Sequence, residues 1–291
     1  MTRILVVGDV VDDIVVRPLA AVTEASDTDA EIRRTDGGSA ANVAAWLGHL
    51  GADVRFVGRA GADGAEPHRA ALAAYGVDAR VSADPDLPTA TLVATLDPSG
   101  ERTMYVDRAA NARLGPADLD PEVLDGVGWL HLTGYSLFDD VVRPAVLDLA
   151  GRARAQGCGV SVDPSSVAFL EGCRAETFLG WAGVADLLFP NLDEGRFLTG
   201  ADAPADVSGA LASQFRGVVL TLGAEGASYA DGDGTRAVAA EPADVVDTTG
   251  AGDAFCAGFL SVWTEARDAD QALAAGAAAA ARAVTRLGAR P

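Results

Sequence analysis

Short apolar runs of strand type alternate with segments of helical periodicity along most of the chain. Ile4–Val7 is followed by the helical stretch Ser39–Leu50, and Val54–Val57 by Glu66–Tyr75. Trp129–Thr133 precedes Asp140–Gln156, Val160–Asp163 precedes helical segments reaching Trp181, and Leu187–Phe189 precedes Asn191–Thr199. Val218–Leu222 and Gly226–Ala230 follow, and a long helical stretch starts at Gly250. Runs that are apolar at consecutive positions leave no face for solvent. They predict an α/β fold in which a mainly parallel central sheet is flanked by helices on both sides.

Two stretches break this rhythm. Ile14–Arg34 carries Val15-Val16 and Ile32 without a helical stripe. Thr89–Leu96 and Thr103–Val106 alternate on either side of Asp97-Pro98-Ser99-Gly100, a turn signal between antiparallel strands. A small β-sheet projecting from the main body is expected from these segments, at about 14–36 and 89–108. No repeat and no long linker divides residues 1–291, so a single domain with a β appendage is expected.

Composition sharpens this picture in three ways. The 291 residues are 49% hydrophobic, enough for a sizeable core. Twenty-two basic residues against forty-two acidic ones give a net charge of −20, which argues against nucleic acid or an anionic membrane as partner. All the basic residues are arginine, so Schiff-base chemistry, a lysine base and a Walker A loop are excluded. Met1 to Val7 reads as a first strand and not as a signal peptide, and Cys158, Cys173 and Cys256 show no metal-type spacing. A cytoplasmic protein with reduced thiols is expected.

The chemistry is concentrated in a few segments. Asp247-Thr248-Thr249-Gly250-Ala251-Gly252-Asp253 leads directly into the helical run Ala254–Glu265. Glycines before a helix let backbone N–H groups converge on an anion at the positive end of the helix dipole. A carboxylate in that first turn is poised to accept the proton of an attacking hydroxyl. The competing structural reading is an ordinary helix with an acidic first turn. A second glycine-led helix opens at Gly37-Gly38-Ser39-Ala40-Ala41-Asn42, and Asp13 lies just past the first strand, at the edge where α/β proteins bind ligands.

These segments together resemble the ribokinase-like (PfkB) carbohydrate kinase family, over nearly the whole chain and in order. Gly37–Asn42 with Leu47-Gly48-His49-Leu50-Gly51 is similar to the first family signature, and Asp247–Asp253 to the second. Between them Asn191-Leu192-Asp193-Glu194 matches the family's Asn-x-x-Glu, and Thr221–Gly226 its nucleotide-site strand and turn. The resemblance implies Asp253 as general base and Gly250, Ala251 and Gly252 as the anion hole. It implies Asp13, Gly37, Gly38, Asn42 and Thr133 on the substrate side, and Asn191, Thr221, Gly223 and Gly226 on the nucleotide side. Glu194 would serve Mg²⁺ through water, and Asp247 and Thr249 a monovalent cation such as K⁺. ATP is the implied phosphoryl donor, and the β appendage the family's lid, through which a homodimer would form.

The sequence departs from the family at Leu132-Thr133-Gly134, where ribokinases carry a substrate glutamate, and at Ala109-Ala110-Asn111, usually Gly-Ala-Asn. Both put ribose itself in doubt. The expected activity is ATP-dependent phosphorylation of a hydroxyl on a sugar or sugar-like molecule. A nucleoside kinase of the same fold is the alternative, and a silent ligand-binding relative a third. Other polar residues carry structural expectations. Asp12 and Asp13 must face opposite ways in extended chain, with Asp13 on the ligand side, and Asp9 reads as structural or solvated. His49, His68 and His131 lack ligand spacing, with His68 on a surface helix. Asp231-Gly232-Asp233-Gly234 is a hairpin turn, and Asp163-Pro164-Ser165-Ser166 either reaches the site or caps a helix.

Overall fold

The computed structural model describes residues 1–22, 25–96 and 102–291. The strands are β1 (Arg3–Val7), β2 (Val11–Pro18), β3 (Ala30–Gly37), β4 (Val54–Gly61), β5 (Asp78–Asp84), β6 (Ala90–Leu96) and β7 (Arg102–Asp107). They continue with β8 (Val127–Thr133), β9 (Gly159–Asp163), β10 (Leu187–Leu188), β11 (Gly217–Thr221), β12 (Ala227–Asp231) and β13 (Gly234–Val238). Among the described residues they form two sheets. The larger has nine strands in the order β13-β12-β11-β10-β9-β8-β1-β4-β5. From β11 to β5 every pairing is parallel, and the β11–β12–β13 edge is antiparallel.

Alternation along each central strand feeds two cores, as consecutive apolar positions require. In β1, Ile4 and Val6 pack with Trp46, Phe56 and Phe259 on one face, while Leu5 and Val7 pack with Leu130, Val146 and Phe178 on the other. All of these side chains are buried. Helices Ser39–His49, Ala251–Ala266 and Ala269–Ala283 cover the first face, and Arg143–Ala155 and Ala175–Ala182 help to cover the second. No described helix is long and apolar enough to cross a membrane.

The smaller sheet runs β3-β2-β6-β7. β2 pairs antiparallel with β3 and parallel with β6, and β6 pairs antiparallel with β7. The turn expected at 97–100 lies outside the described residues. Ile32, Met104 and Tyr105 stand exposed on this sheet. The Asp231–Gly234 hairpin forms as read, joining β12 to β13 with the Asp233 amide donating to Asp231 Oδ1. The three cysteines are unpaired thiols, and burial pushes those of Cys158 and Cys256 up.

One expectation from the sequence changes in the structure. His68 belongs to helix Ala65–Ala73, yet it is buried, because that face of the helix packs beneath the smaller sheet; its Nε2 lies 2.9 Å from Asp12 Oδ1. His131 is buried within β8 beside Ser161 Oγ, and burial lowers its pKa to about 3, so it stays neutral.

Candidate active site

A cavity of about 310 Å³ lies at the carboxyl end of the parallel strands, between the two sheets. Two glycine-led helices aim their N-termini at it. Gly38 (φ 93°) precedes Ser39–His49, and a Cβ there would stand 2.6 Å from the Asp9 carbonyl oxygen. Gly250 (φ 74°) precedes Ala251–Ala266 and packs so closely on Ala289 that a Cβ would meet it at 2.6 Å. Both positions need glycine for conformation and for close approach.

Asp253 sits in the first turn of the second helix. Its Oδ1 accepts from Ser39 Oγ at 2.7 Å and its Oδ2 from Asn42 Nδ2 at 2.9 Å. Burial raises its pKa to about 6, and these two hydrogen bonds hold the rise in check. Around it the helix is open. The Ala251 amide turns back to the Thr248 carbonyl at 3.2 Å. The Gly252 and Asp253 amides meet no acceptor among the described residues, as expected for the first turn of a helix. Gly252 is exposed, and a Cβ added to it would touch nothing within 4 Å. The positive-φ glycine is therefore Gly250, whereas Gly252 leaves free space.

On the opposite wall Asp13 points inward while Asp12 turns to His68, as the alternation of β2 demands. The Asp13 carboxyl packs on Gly37, where any Cβ would lie 2.2 Å from it. Its Oδ1 is buried without a partner, and burial pushes its pKa up to about 7 against the pull of Arg290. Asp9 accepts from the Ser39 and Ala40 amides at 2.8 and 3.3 Å and from Thr133 Oγ1 at 3.2 Å. It caps the first helix across space. Thr133 is fully buried behind Asp9 and does not line the cavity.

The Asn191–Glu194 segment is a reciprocal capping box. Asn191 Oδ1 accepts from the Glu194 amide at 2.9 Å, and Glu194 Oε2 accepts from the Asn191 amide at 2.9 Å. Both residues also line the cavity, so the structural reading of this motif coexists with a place at the site. Burial raises Glu194 to about 7, and Asp163 rises through burial and the neighbouring Glu194 charge. Thr221 and Thr249 line the cavity, whereas Gly223 and Gly226 form the turn between β11 and β12 outside its wall. Asp247 is buried behind the glycine loop, where its Oδ1 accepts from Thr249 Oγ1 (2.7 Å) and its Oδ2 from the Gly288 amide (3.1 Å).

Several lining residues were not legible as site residues. Ser39 stands inside a recognised segment, but its bond to Asp253 crosses 214 positions. Tyr135 and Phe169 form an edge-to-face pair with centroids 5.4 Å apart, and Arg108, on the loop after β7, donates to the Tyr135 carbonyl at 2.7 Å. Asp163 and Ser165 do reach the cavity, which settles the choice left open for their segment. On the smaller sheet Val106 faces the cavity, so its face, and not that of Tyr105, is turned inward.

Open helix-terminal amides beside a cavity lined by carboxyls suit a phosphoryl group, and comparison with known proteins gives the class: a phosphotransferase that takes an alcohol group as acceptor. The whole chain, residues 1–291, matches the description "pfkB family carbohydrate kinase". It belongs to this family of sugar kinases and has its ribokinase-like fold. It is 32% identical over 302 residues to aminoimidazole riboside kinase of Salmonella typhimurium, covering 99% of this chain and 91% of that protein. It is 33% identical over 300 residues to the ATP-dependent ribose-1-phosphate kinase of Halopiger xanaduensis, covering 100% and 94%. Among solved structures, a putative ribokinase II from E. coli in complex with ATP and Mg²⁺ superposes with a TM-score of 0.85 at 25% identity, covering 99% of this chain and 94% of that one.

Proposed function

We propose that this chain transfers the γ-phosphoryl group of ATP to a hydroxyl of a free sugar or sugar-like polyol, with Asp253 as the general base. One observation carries the reading. A carboxyl held by Ser39 and Asn42 stands in the same helical turn as amides that meet no acceptor. The carboxylate can take the proton of the attacking hydroxyl while the Gly252 and Asp253 amides hold the equatorial oxygens of the transferring group. Asp13 and Asn42 supply an acceptor and an amide for neighbouring hydroxyls, which suits a polyol.

The charge around the cavity supports a need for cations. Asp9, Asp13, Asp163, Glu194 and Asp253 line it, and Arg108 is the one cationic side chain on the described wall. A triphosphate entering such a site gains only when metal ions offset this charge. Glu194 and Asp163, buried oxygen donors both raised chiefly by burial, with the Glu194 charge adding to the rise of Asp163, fit Mg²⁺. Bound there, the ion would neutralise charge on the phosphates. Asp247 and Thr249 order the loop that presents the open amides, and we assign K⁺ to that loop. The smaller sheet, carrying Val11, Leu92 and Val106 over the cavity, acts as a lid whose exposed Ile32, Met104 and Tyr105 suit a homodimer contact.

A nucleoside is the second reading, favoured by the Tyr135–Phe169 ring pair on the cavity wall. An assay of ADP release across sugars and nucleosides separates the two. Free sugars should be the better substrates, and the reverse order replaces the first reading with the second. The base is tested with Asp253→Asn, which keeps the shape but not the proton acceptor. Its kcat should fall by roughly 10²–10⁴ with ATP binding retained. A near-parental kcat would remove Asp253 from the chemistry.

A further inference from the structure

Residues 288–291 thread between the two helix N-termini. The Gly288 amide donates to Asp247 Oδ2 at 3.1 Å, the Ala289 carbonyl accepts from Trp46 Nε1 at 2.8 Å, and Ala289 packs on Gly250. Between these anchors and the Pro291 carbonyl, which accepts from Tyr75 at 2.7 Å, stands Arg290, only 9% exposed. Burying a guanidinium is costly unless a carboxylate or a full set of acceptors meets it. Here the nearest described carboxylate oxygen, Asp36 Oδ2, is 3.5 Å away, and Nη1 finds no hydrogen-bond acceptor among the described residues. The cation is thus poorly matched for a purely structural role.

What it does touch is informative. Nη2 donates to the Gly37 carbonyl at 2.9 Å, and Nε donates to Asn42 Oδ1 at 3.3 Å. The other end of the Asn42 amide, Nδ2, donates to Asp253 Oδ2 at 2.9 Å. The two ends of a primary amide are nearly equal in shape, so packing alone does not select its orientation. An arginine Nε–H is always a donor and never an acceptor. It holds the oxygen of Asn42 toward itself and thereby turns the NH₂ toward Asp253. In the reversed orientation an amide oxygen would face the carboxylate.

We infer that Arg290 is a positioning residue for phosphoryl transfer, fixing the Asn42 amide so that it donates to Asp253. The inference rests on the reading of Asp253 as the base. Without Arg290 only the Asp253 carboxylate itself selects the orientation of the amide, so the charge-assisted hydrogen bond to the base is held less firmly. The Asp253 carboxylate then loses part of a bond that lowers its pKa, while Asp9, Asp13 and Asp163, the Tyr135 phenol and the Cys256 thiol around it remain. The acid limb of kcat, which follows Asp253, therefore moves to higher pH.

The test compares Arg290→Met, which has no donor at the Nε position, with Arg290→Gln, whose amide can turn its nitrogen to that same position, without charge, to meet the Asn42 oxygen. R290M should lower kcat about tenfold, the worth of one such hydrogen bond, and raise the acid limb, with the ATP KM unchanged. R290Q should keep most of kcat and the parental limb. In an Asn42→Ala background R290M should cost less than about a further twofold, because the residue through which it acts is gone. Every variant is assayed where circular dichroism shows it folded. Should R290M have no such temperature, Arg290→Lys replaces it, keeping the charge but withdrawing the Nε donor, with the same fall expected. Equal damage in R290M and R290Q, full additivity with N42A, or an unmoved acid limb each overturns the inference. D253N, run beside them, reports separately on the base: if it keeps its rate, the reading of the base falls, whatever Arg290 does.

Discussion

The two glycine-led helices that meet at the cavity begin alike and end differently. Both follow a glycine of positive φ, Gly38 and Gly250, and both aim a positive helix end at the same space. At Ser39–His49 the protein fills that end itself: Asp9 reaches over from the loop after β1 and takes the Ser39 and Ala40 amides. At Ala251–Ala266 no described side chain does so, and the carboxyl nearest at hand, Asp253, points away to Ser39 and Asn42. Uncapped starts occur elsewhere in the protein, at Ala65–Ala73 and Pro204–Ala212 for example, so what distinguishes Ala251–Ala266 is that its open end lies on the cavity wall. The first terminus is closed by the protein itself, and the second is the one to which the proposed function assigns the anion.

The sharpest way to break this contrast is to fill the open end. Gly252→Val would place a branched side chain in the free space in front of the amides. We expect kcat to fall by about 10²–10³, the usual worth of lost oxyanion donors, with little change in the melting temperature. Unaltered turnover and ATP KM would show that the anion binds elsewhere. The converse change empties the filled end. Asp9→Ala should cost about 1–2 kcal/mol of stability in denaturant titration through the lost cap. A loss of activity with no loss of stability would instead place Asp9 among the substrate contacts.

Smaller effects follow from the crowded carboxyls. Asp13 and Glu194 rise to about 7 and Asp253 to about 6, each chiefly through burial. Raised carboxyl pKa values mean that the folded state binds more protons than the unfolded one between about pH 4 and 7, so stability declines as pH rises through that window. Without metal the melting temperature should drop between about pH 4 and 7, and Mg²⁺ or Glu194→Gln should reduce the drop. A flat profile in the metal-free protein would contradict the burial of these groups. The smallest effect concerns the loop behind the open helix. Potassium should raise kcat relative to a large organic cation, through the order of the Asp247–Gly250 segment. Identical rates in the two salts would remove the monovalent ion and leave the kinase untouched.

How far the sequence could be read depended on the range of each interaction. The parallel sheet was legible because buried strands carry consecutive apolar residues, a local property. Asp253, Gly250–Gly252, Asp13 and Asn42 were legible because a helix start and a strand end each place their residues within a few positions. Asn191 and Glu194 were read from their match to the family's Asn-x-x-Glu, a local motif that the structure shows to be a capping box on the cavity wall. Thr133 was credited with a substrate contact because it ends the central strand, but strand position does not reveal that Asp9 stands in front of it. His68 misled in the opposite direction: Pro67 and its polar neighbours look solvated, and only the sheet packed above them encloses the ring.

By itself, then, the amino-acid sequence determined the architecture, the glycine-led turn at Gly250 and the carboxyl beside it, since these follow from periodicity and from backbone geometry over a few residues. It could not determine which helix end is capped, which face of the smaller sheet turns inward, or what holds Asn42. Those depend on contacts such as Asp9 with Ser39, 30 positions apart, and Arg290 with Asn42, 248 positions apart. A hydrogen bond is decided by tenths of an ångström and by direction, and between such distant residues only the folded chain sets either one.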